Sequence, residues 1–162
     1  MIQRVQTVLL FFVAVAMVLV MFSTLWEQIN PDNTEKLSLT AWTMTTYSVS
    51  AGSDDTVLQE QNHFFIGVLS IIAAVVALYS LSQFKNRTKQ MFLNMINSLV
   101  MGVLLGVTVY QSYQANTEFN PVDSGTFVLG FYAIVAGIIL NVLSNRFIRR
   151  DEMLVRSVDR IR

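Results

Sequence analysis

Charged residues leave four long stretches of this chain empty. No Asp, Glu, Lys or Arg occurs in the 22 residues between Arg4 and Glu27, the 24 between Glu60 and Lys85, the 28 between Lys89 and Glu118, or the 22 between Asp123 and Arg146. Each stretch is rich in Val, Leu, Ile, Phe, Ala and Met. A helix needs about 20 mostly apolar residues to cross the hydrocarbon core of a bilayer. A backbone in lipid must also satisfy its own hydrogen bonds, so spans of this length are helices. The pattern predicts four transmembrane helices over 7–26, 64–82, 91–113 and 126–143. The first is read as an uncleaved anchor: its apolar run exceeds a usual signal-peptide core, and bulky Met21, Phe22, Leu25 and Trp26 stand where a cleavage site needs small residues.

The remaining charges sort by side. Arg4, Lys85, Arg87, Lys89 and arginines 146, 149, 150, 156, 160 and 162 fall on one side of the four spans, and Lys36 alone on the other. Glu27, Asp32, Glu35, Asp54, Asp55, Glu60, Glu118 and Asp123 oppose them, leaving Asp151, Glu152 and Asp159 on the basic side. Short Lys/Arg-rich loops stay in the cytoplasm, so both termini are expected there. Removing one span would mix the signs, which supports the count independently.

The expected fold class is an all-α membrane protein, an up-down bundle of four transmembrane helices forming a single domain over 1–162. A short β-hairpin-like element is expected in the first extracytoplasmic loop, 27–62, because 36–50 is rich in Thr, Val, Tyr and Trp and alternates in polarity. The parity of its apolar residues changes near Ala41, which predicts a bulge or turn, and 51–55 reads as a second turn. A cytoplasmic amphipathic helix is expected in the tail, 144–162, where Phe147, Leu154, Val158 and Ile161 share a face.

Membrane helices associate through close packing and a few polar contacts. The third span carries Asn94, Ser98, Gly102, Gly106 and Tyr110 at steps of four, including a GxxxG, and the fourth carries Gly130, Ala133 and Gly137. These are read as contacts between helices of one chain, with a homodimer face as the alternative. Asn94 and Asn141 are expected near the cytoplasmic ends of adjacent helices. Trp26, Phe64, Phe65, Tyr110 and Tyr113 are expected to form an outer aromatic belt.

Chemistry-bearing residues are scarce. The 162-residue chain has no cysteine and one histidine, and its formal net charge is zero. This argues against a thiol nucleophile, a Cys-ligated metal and a nucleic-acid interface. The spans hold no ionisable side chain of the kind that proton relays and voltage sensors use. His63 is read as interfacial, and Asp54 and Asp55 as a solvated turn rather than a calcium site. No cofactor, metal or catalytic residue is expected.

Phe84-Lys-Asn-Arg87 with Gln90, the opening Met-Ile-Gln-Arg-Val-Gln-Thr, and the tail from Ile148 to Arg162 together resemble a family of small bacterial four-span inner-membrane proteins known as a domain of unknown function. The resemblance implies that topology and a bacterial inner membrane, and supplies no activity. The expected role is a non-enzymatic scaffold or accessory subunit of a membrane complex. Its partner- or lipid-contacting residues would be Lys85, Arg87, Lys89, Arg146, Arg149, Arg150, Arg156, Arg160 and Arg162, facing anionic lipid and an unidentified protein. The alternative is a small transporter or channel subunit for an uncharged or lipidic solute.

Overall fold

The computed structural model of the protein describes residues 3–49, 56–84 and 86–159. In chain order the elements are α1 (Gln3–Phe22), β1 (Trp26–Ile29), β2 (Glu35–Leu39), β3 (Thr43–Ser48), β4 (Thr56–Asn62), α2 (Phe65–Ser82), α3 (Arg87–Phe119), β5 (Thr126–Phe127) and α4 (Leu129–Asp159). The four helices are each long and apolar enough to cross a membrane. They pack in a ring: α1 lies against α2 and α4, and α3 against the same two.

The expected all-α class is incorrect. The strands form one five-stranded antiparallel sheet in the order β4-β3-β2-β1-β5, so the fold is α+β. Three of its strands come from the expected hairpin region. The other two come from residues that resemble something else in sequence. Trp26–Ile29 follows the first apolar run directly and pairs with β2, while Thr126–Phe127 joins from the connection between α3 and α4. The parity change near Ala41 is a reversal of the chain between β2 and β3. The turn expected at 51–55 lies outside the described residues. The connection between α3 and α4 is also shorter than expected, because α3 continues to Phe119.

Register explains which sheet face is buried. Cross-strand partners share a face. Trp26, Leu39, Met44 and Phe127 are mutually aligned, with Leu37 and Gln28 one pair further along. Trp26, Leu37 and Leu39 are buried in the same apolar core as Val20 and Ile66 of the helices. The opposite face carries Glu27, Lys36, Thr45 and Glu60, with a 2.7 Å ion pair between Lys36 and Glu27. Trp26 is therefore a core residue, which corrects its assignment to an aromatic belt; Phe64, Phe65, Tyr110 and Tyr113 are exposed.

Backbone hydrogen bonds stitch the sheet to the helix ends. Gly67 N–H donates to Ala41 O at 2.8 Å, Gly130 N–H to Thr24 O at 2.9 Å, and Val128 N–H to Leu25 O at 3.0 Å. Glycine is required where these chains meet. A Cβ at Gly67 would stand 2.6 Å from the Trp42 ring, whose Nε1 donates to Met21 O at 2.9 Å. A Cβ at Gly125 would collide with the Trp26 indole. In the β1–β2 turn Asn33 adopts a φ of 52°, a left-handed conformation that a short polar side chain tolerates.

The helices share one burial rhythm. Buried positions run 6, 10, 13, 17, 20 on α1; 66, 70, 73, 77, 80 on α2; 90, 94, 97, 101, 104, 108 on α3; and 130, 134, 137, 141, 144, 148 on α4. Alternating steps of four and three average 3.5 residues, the spacing that keeps a seam facing its neighbours. Steps of four alone rotate by about 40° each on a 3.6-residue helix. The stripe Asn94, Ser98, Gly102, Gly106, Tyr110 therefore starts inside and ends outside. Asn94 is fully buried, and Gly102, Gly106 and Tyr110 are exposed.

Candidate functional site at the basic end of the helices

The end of the helices opposite the sheet gathers the basic residues and the buried amides. Asn86 caps α3 by accepting the Lys89 N–H at 3.2 Å, which fixes where that helix begins. One residue on, Arg87 Nη2 lies 3.3 Å from Asp151 Oδ2, and its Nη1 donates to the Asp151 carbonyl at 3.3 Å. Their side chains are only 22% and 14% exposed. Arg87, expected to face a partner, instead ties α3 to α4 within the chain.

Arg146, Arg149 and Arg150 are exposed, as is Met153. Spacings of three and four put all four on one face of α4. Ile148 and Asp151 turn inward from the same stretch, Ile148 buried completely. The arginines thus form an outward fan on a helix that continues unbroken past the apolar span. Lys89 is exposed at the start of α3. Arg156 lies on α4, and Lys85, Arg160 and Arg162 lie outside the described residues.

Inside this rim, the inward seams turn polar. Ser80 Oγ donates to Asn94 Oδ1 at 2.6 Å, and Gln90 Nε2 to Ser80 O at 3.2 Å, joining α2 to α3. Asn141 Nδ2 donates to Asn94 O and to Ser98 Oγ, each at 2.8 Å, joining α3 to α4. Asn94 and Asn141, expected only to lie near the ends of adjacent helices, are joined through the Asn94 backbone carbonyl rather than side chain to side chain. Gln6, Asn97 and Ser144 complete this polar region and are also buried. Gln6 Nε2, Asn94 Nδ2, both polar atoms of Asn97, Asn141 Oδ1 and Ser144 Oγ have no hydrogen-bond partner among the described residues.

The small residues expected to pack the helices divide in two. Gly137 sits against α1 and Gly130 against the 23–25 segment that links α1 to β1: a Cβ would lie 2.7 Å from Met17 Cε at the first and 2.7 Å from Thr24 O at the second. A Cβ on Gly102 or Gly106 would meet nothing within 4 Å, so these two do not pack within the chain.

At the sheet end, Gln28 is a functional-looking residue that sequence reasoning missed. Its Nε2 donates to Asn116 Oδ1 at 3.0 Å, Asn120 O at 2.9 Å and Asp123 O at 2.6 Å. It clamps the α3–β5 connection onto β1. No local pattern marks a lone Gln in a polar loop as buried. Grooves of 170, 220 and 240 Å³ line this end. Each is smaller than the ~300 Å³ at which pockets begin to enclose drug-sized ligands.

The arrangement at the basic end offers hydrogen bonds and exposed positive charge. Among the described residues no group of three His, Asp or Glu side chains comes together to hold a metal. No curated protein matches the chain. The family model described as a domain of unknown function (DUF4293) matches residues 2–161, nearly the whole length, and the chain belongs to that family.

Proposed function

We infer that the protein is a non-enzymatic multi-pass protein of a bacterial cytoplasmic membrane that serves as a scaffold or accessory subunit, with both termini inside and the sheet outside. The carrying observation is an inverted burial pattern. Outward positions on the four helices are apolar, including Phe11, Phe12, Val75, Leu78, Leu99 and Ile139. Inward positions hold Gln6, Ser80, Gln90, Asn94, Asn97, Asn141 and Ser144. A helix in water places these classes the other way round. An apolar outer surface flanked by arginines at one end and a polar sheet face at the other suits a protein standing in a bilayer.

The fan of Arg146, Arg149 and Arg150 supports contact with anionic headgroups, worth about 1 kcal/mol per arginine near the surface. It also supports docking of an acidic protein surface, because guanidinium binds carboxylates in paired hydrogen bonds. The bacterial setting rests on the family resemblance.

Cysteine labelling tests the topology cleanly, since the chain has no cysteine of its own. Asp32→Cys and Val122→Cys in intact cells are expected to react with an impermeant thiol reagent. Thr88→Cys is expected to react only after the membrane is opened. Protection of Val122→Cys in intact cells would overturn the orientation.

Purification from native membranes tests the role. A stoichiometric protein partner is expected. The Arg149→Lys, Arg150→Lys variant keeps the charge and loses the paired geometry, so insertion should persist while partner recovery falls by about half or more. Undiminished recovery would reduce the fan to a topological signal.

A further inference from the structure

The sheet face turned away from the core has small hydroxyl residues along its middle. Register sets Glu27, Ser38, Thr45 and Glu60 in one row across β1 to β4, with Thr126 beside Glu27. Lys36 and Tyr47 pair in the next row of the same face. Ser38 and Thr45 are only 7% and 4% exposed, because longer side chains stand on either side of them. Two grooves open on this face and share Glu27. One, of 240 Å³, is lined by Thr24, Glu27, Lys36, Ser38 and Tyr47. The other, of 170 Å³, lies on the β5 side of Glu27, where Ile29, Asp123, Ser124 and Thr126 line it.

We propose that this face binds a short neutral oligosaccharide laid across β1, with one sugar unit in each groove and Glu27 contacting both. The lining selects the class. Ser38 is more than nine-tenths buried, and its hydroxyl has no hydrogen-bond partner among the described residues. Buried hydroxyls are normally bonded, and this one lines the 240 Å³ groove, where a ligand hydroxyl supplies the missing bond. Glu27 and Lys36 are paired at 2.7 Å, with side chains 32% and 33% exposed. The pair keeps two further ammonium N–H donors and the remaining carboxylate lone pairs for a ligand. A charged ligand would compete for one member of the pair. A neutral molecule rich in hydroxyls leaves the pair intact and takes charge-assisted hydrogen bonds from both members. Each sugar hydroxyl donates and accepts, as do the hydroxyls of Ser38, Thr24 and Thr126. Tyr47 adds an apolar ring for the C–H face of a sugar. The two grooves hold the volume of about six and about eight waters, at about 30 Å³ each, which is the scale of one sugar ring.

The test is saturation-transfer NMR on the full-length protein in lipid nanodiscs, free of sugar-based detergent. The probes are cellotriose, maltotriose, the β1,4-linked trimer of N-acetylglucosamine, and glucose. At least one trisaccharide is expected to bind with a Kd of about 1 mM or tighter. Glucose, which fills one groove, is expected to bind at least about tenfold more weakly. Ser38→Val keeps strand propensity and removes the buried hydroxyl, so the trisaccharide affinity should fall at least about tenfold. The double variant Glu27→Gln, Lys36→Met preserves net charge and removes the charge-assisted bonds, with a loss of about tenfold or more. No binding by any of the trisaccharides overturns the site. Undiminished binding by both variants, with melting temperatures unchanged, also overturns it. Glucose binding as tightly as the trisaccharide overturns the span across Glu27. If the double variant does not fold, Ser38→Val decides. The side of the membrane on which the sheet lies is tested separately by the cysteine labelling above, and neither result alters the other.

Discussion

Gly130→Ala is expected to lower the melting temperature of the purified protein by about 5–10 °C, corresponding to roughly 2–3 kcal/mol of overpacking in a chain of this size. The added methyl would sit 2.7 Å from the backbone oxygen of Thr24, which already accepts the Gly130 N–H. Neither partner is a flexible side chain, so relief requires the start of α4 to move away from the 23–25 backbone that links α1 to β1. Gly137→Ala meets only the terminal methyl of Met17, and Met repacks readily. Its effect should stay below about 1 kcal/mol. Gly102→Ala and Gly106→Ala place a methyl in open space on a helix, where alanine is favoured by about 1 kcal/mol. These two should raise the melting temperature slightly. A neutral Gly130→Ala would contradict the close approach of α4 to the 23–25 connection. A destabilising Gly102→Ala would reveal a second chain packed against that face.

That series also measures what a sequence motif conveys. Gly102 and Gly106 form the recognisable GxxxG, yet Gly130 and Gly137 make the close approach. The difference lies in phase. Seven-residue periodicity carries the seam of α3 through Asn97, Met101, Leu104 and Thr108, and Gly102 and Gly106, one and two residues off that rhythm, face outward. The four long apolar helices were legible because each charge-free run extends over more than 20 residues. That Asn94 and Asn141 lie at the same end of adjacent helices was legible because helix ends can be counted from the charged boundaries; their hydrogen bond was not.

The sheet was legible only in part. Thr43–Ser48 and its neighbours show the β-branched and aromatic alternation of strands. Trp26–Ile29 does not, because in sequence it begins at the end of the charge-free run that starts with α1, and its pairing with β2 and β5 is set by register. Thr126–Phe127 is two residues long and has no periodicity to read. Its pairing to β1 spans about a hundred residues of sequence and is set by tertiary structure. The same reason hid the Arg87–Asp151 pair and the Gln28 clamp. Both join residues whose local sequence looks solvated.

Gln28→Glu is expected to be the most damaging single change, because it reverses the polarity of the clamp while preserving its shape. Gln28 is 3% exposed and directs its amide nitrogen at three oxygens. A carboxylate in that place brings a fourth acceptor and a negative charge with no donor opposite. Leaving a buried charge uncompensated costs about 3–5 kcal/mol. The resulting fall in melting temperature is about 10 °C or more near neutral pH. The pH dependence identifies the cause. Burial among oxygens raises the folded-state pKa of the introduced Glu above its unfolded value of about 4.3. The folded form then binds more protons than the unfolded form over the interval between the two, so stability falls as pH rises through it. Below the unfolded value both states are protonated and the penalty shrinks, because the neutral acid keeps one donor for the site. Gln28→Met supplies the control: it removes the donors without adding charge, costs about 1–3 kcal/mol, and its penalty does not change with pH. Thermal melts of both variants between pH 4.5 and pH 8, followed by the fluorescence of Trp26 and Trp42, measure the difference. Equal penalties for the two variants at every pH would show that Gln28 does not face those three oxygens, and with that the anchoring of β1 to the α3–β5 connection would have to be withdrawn.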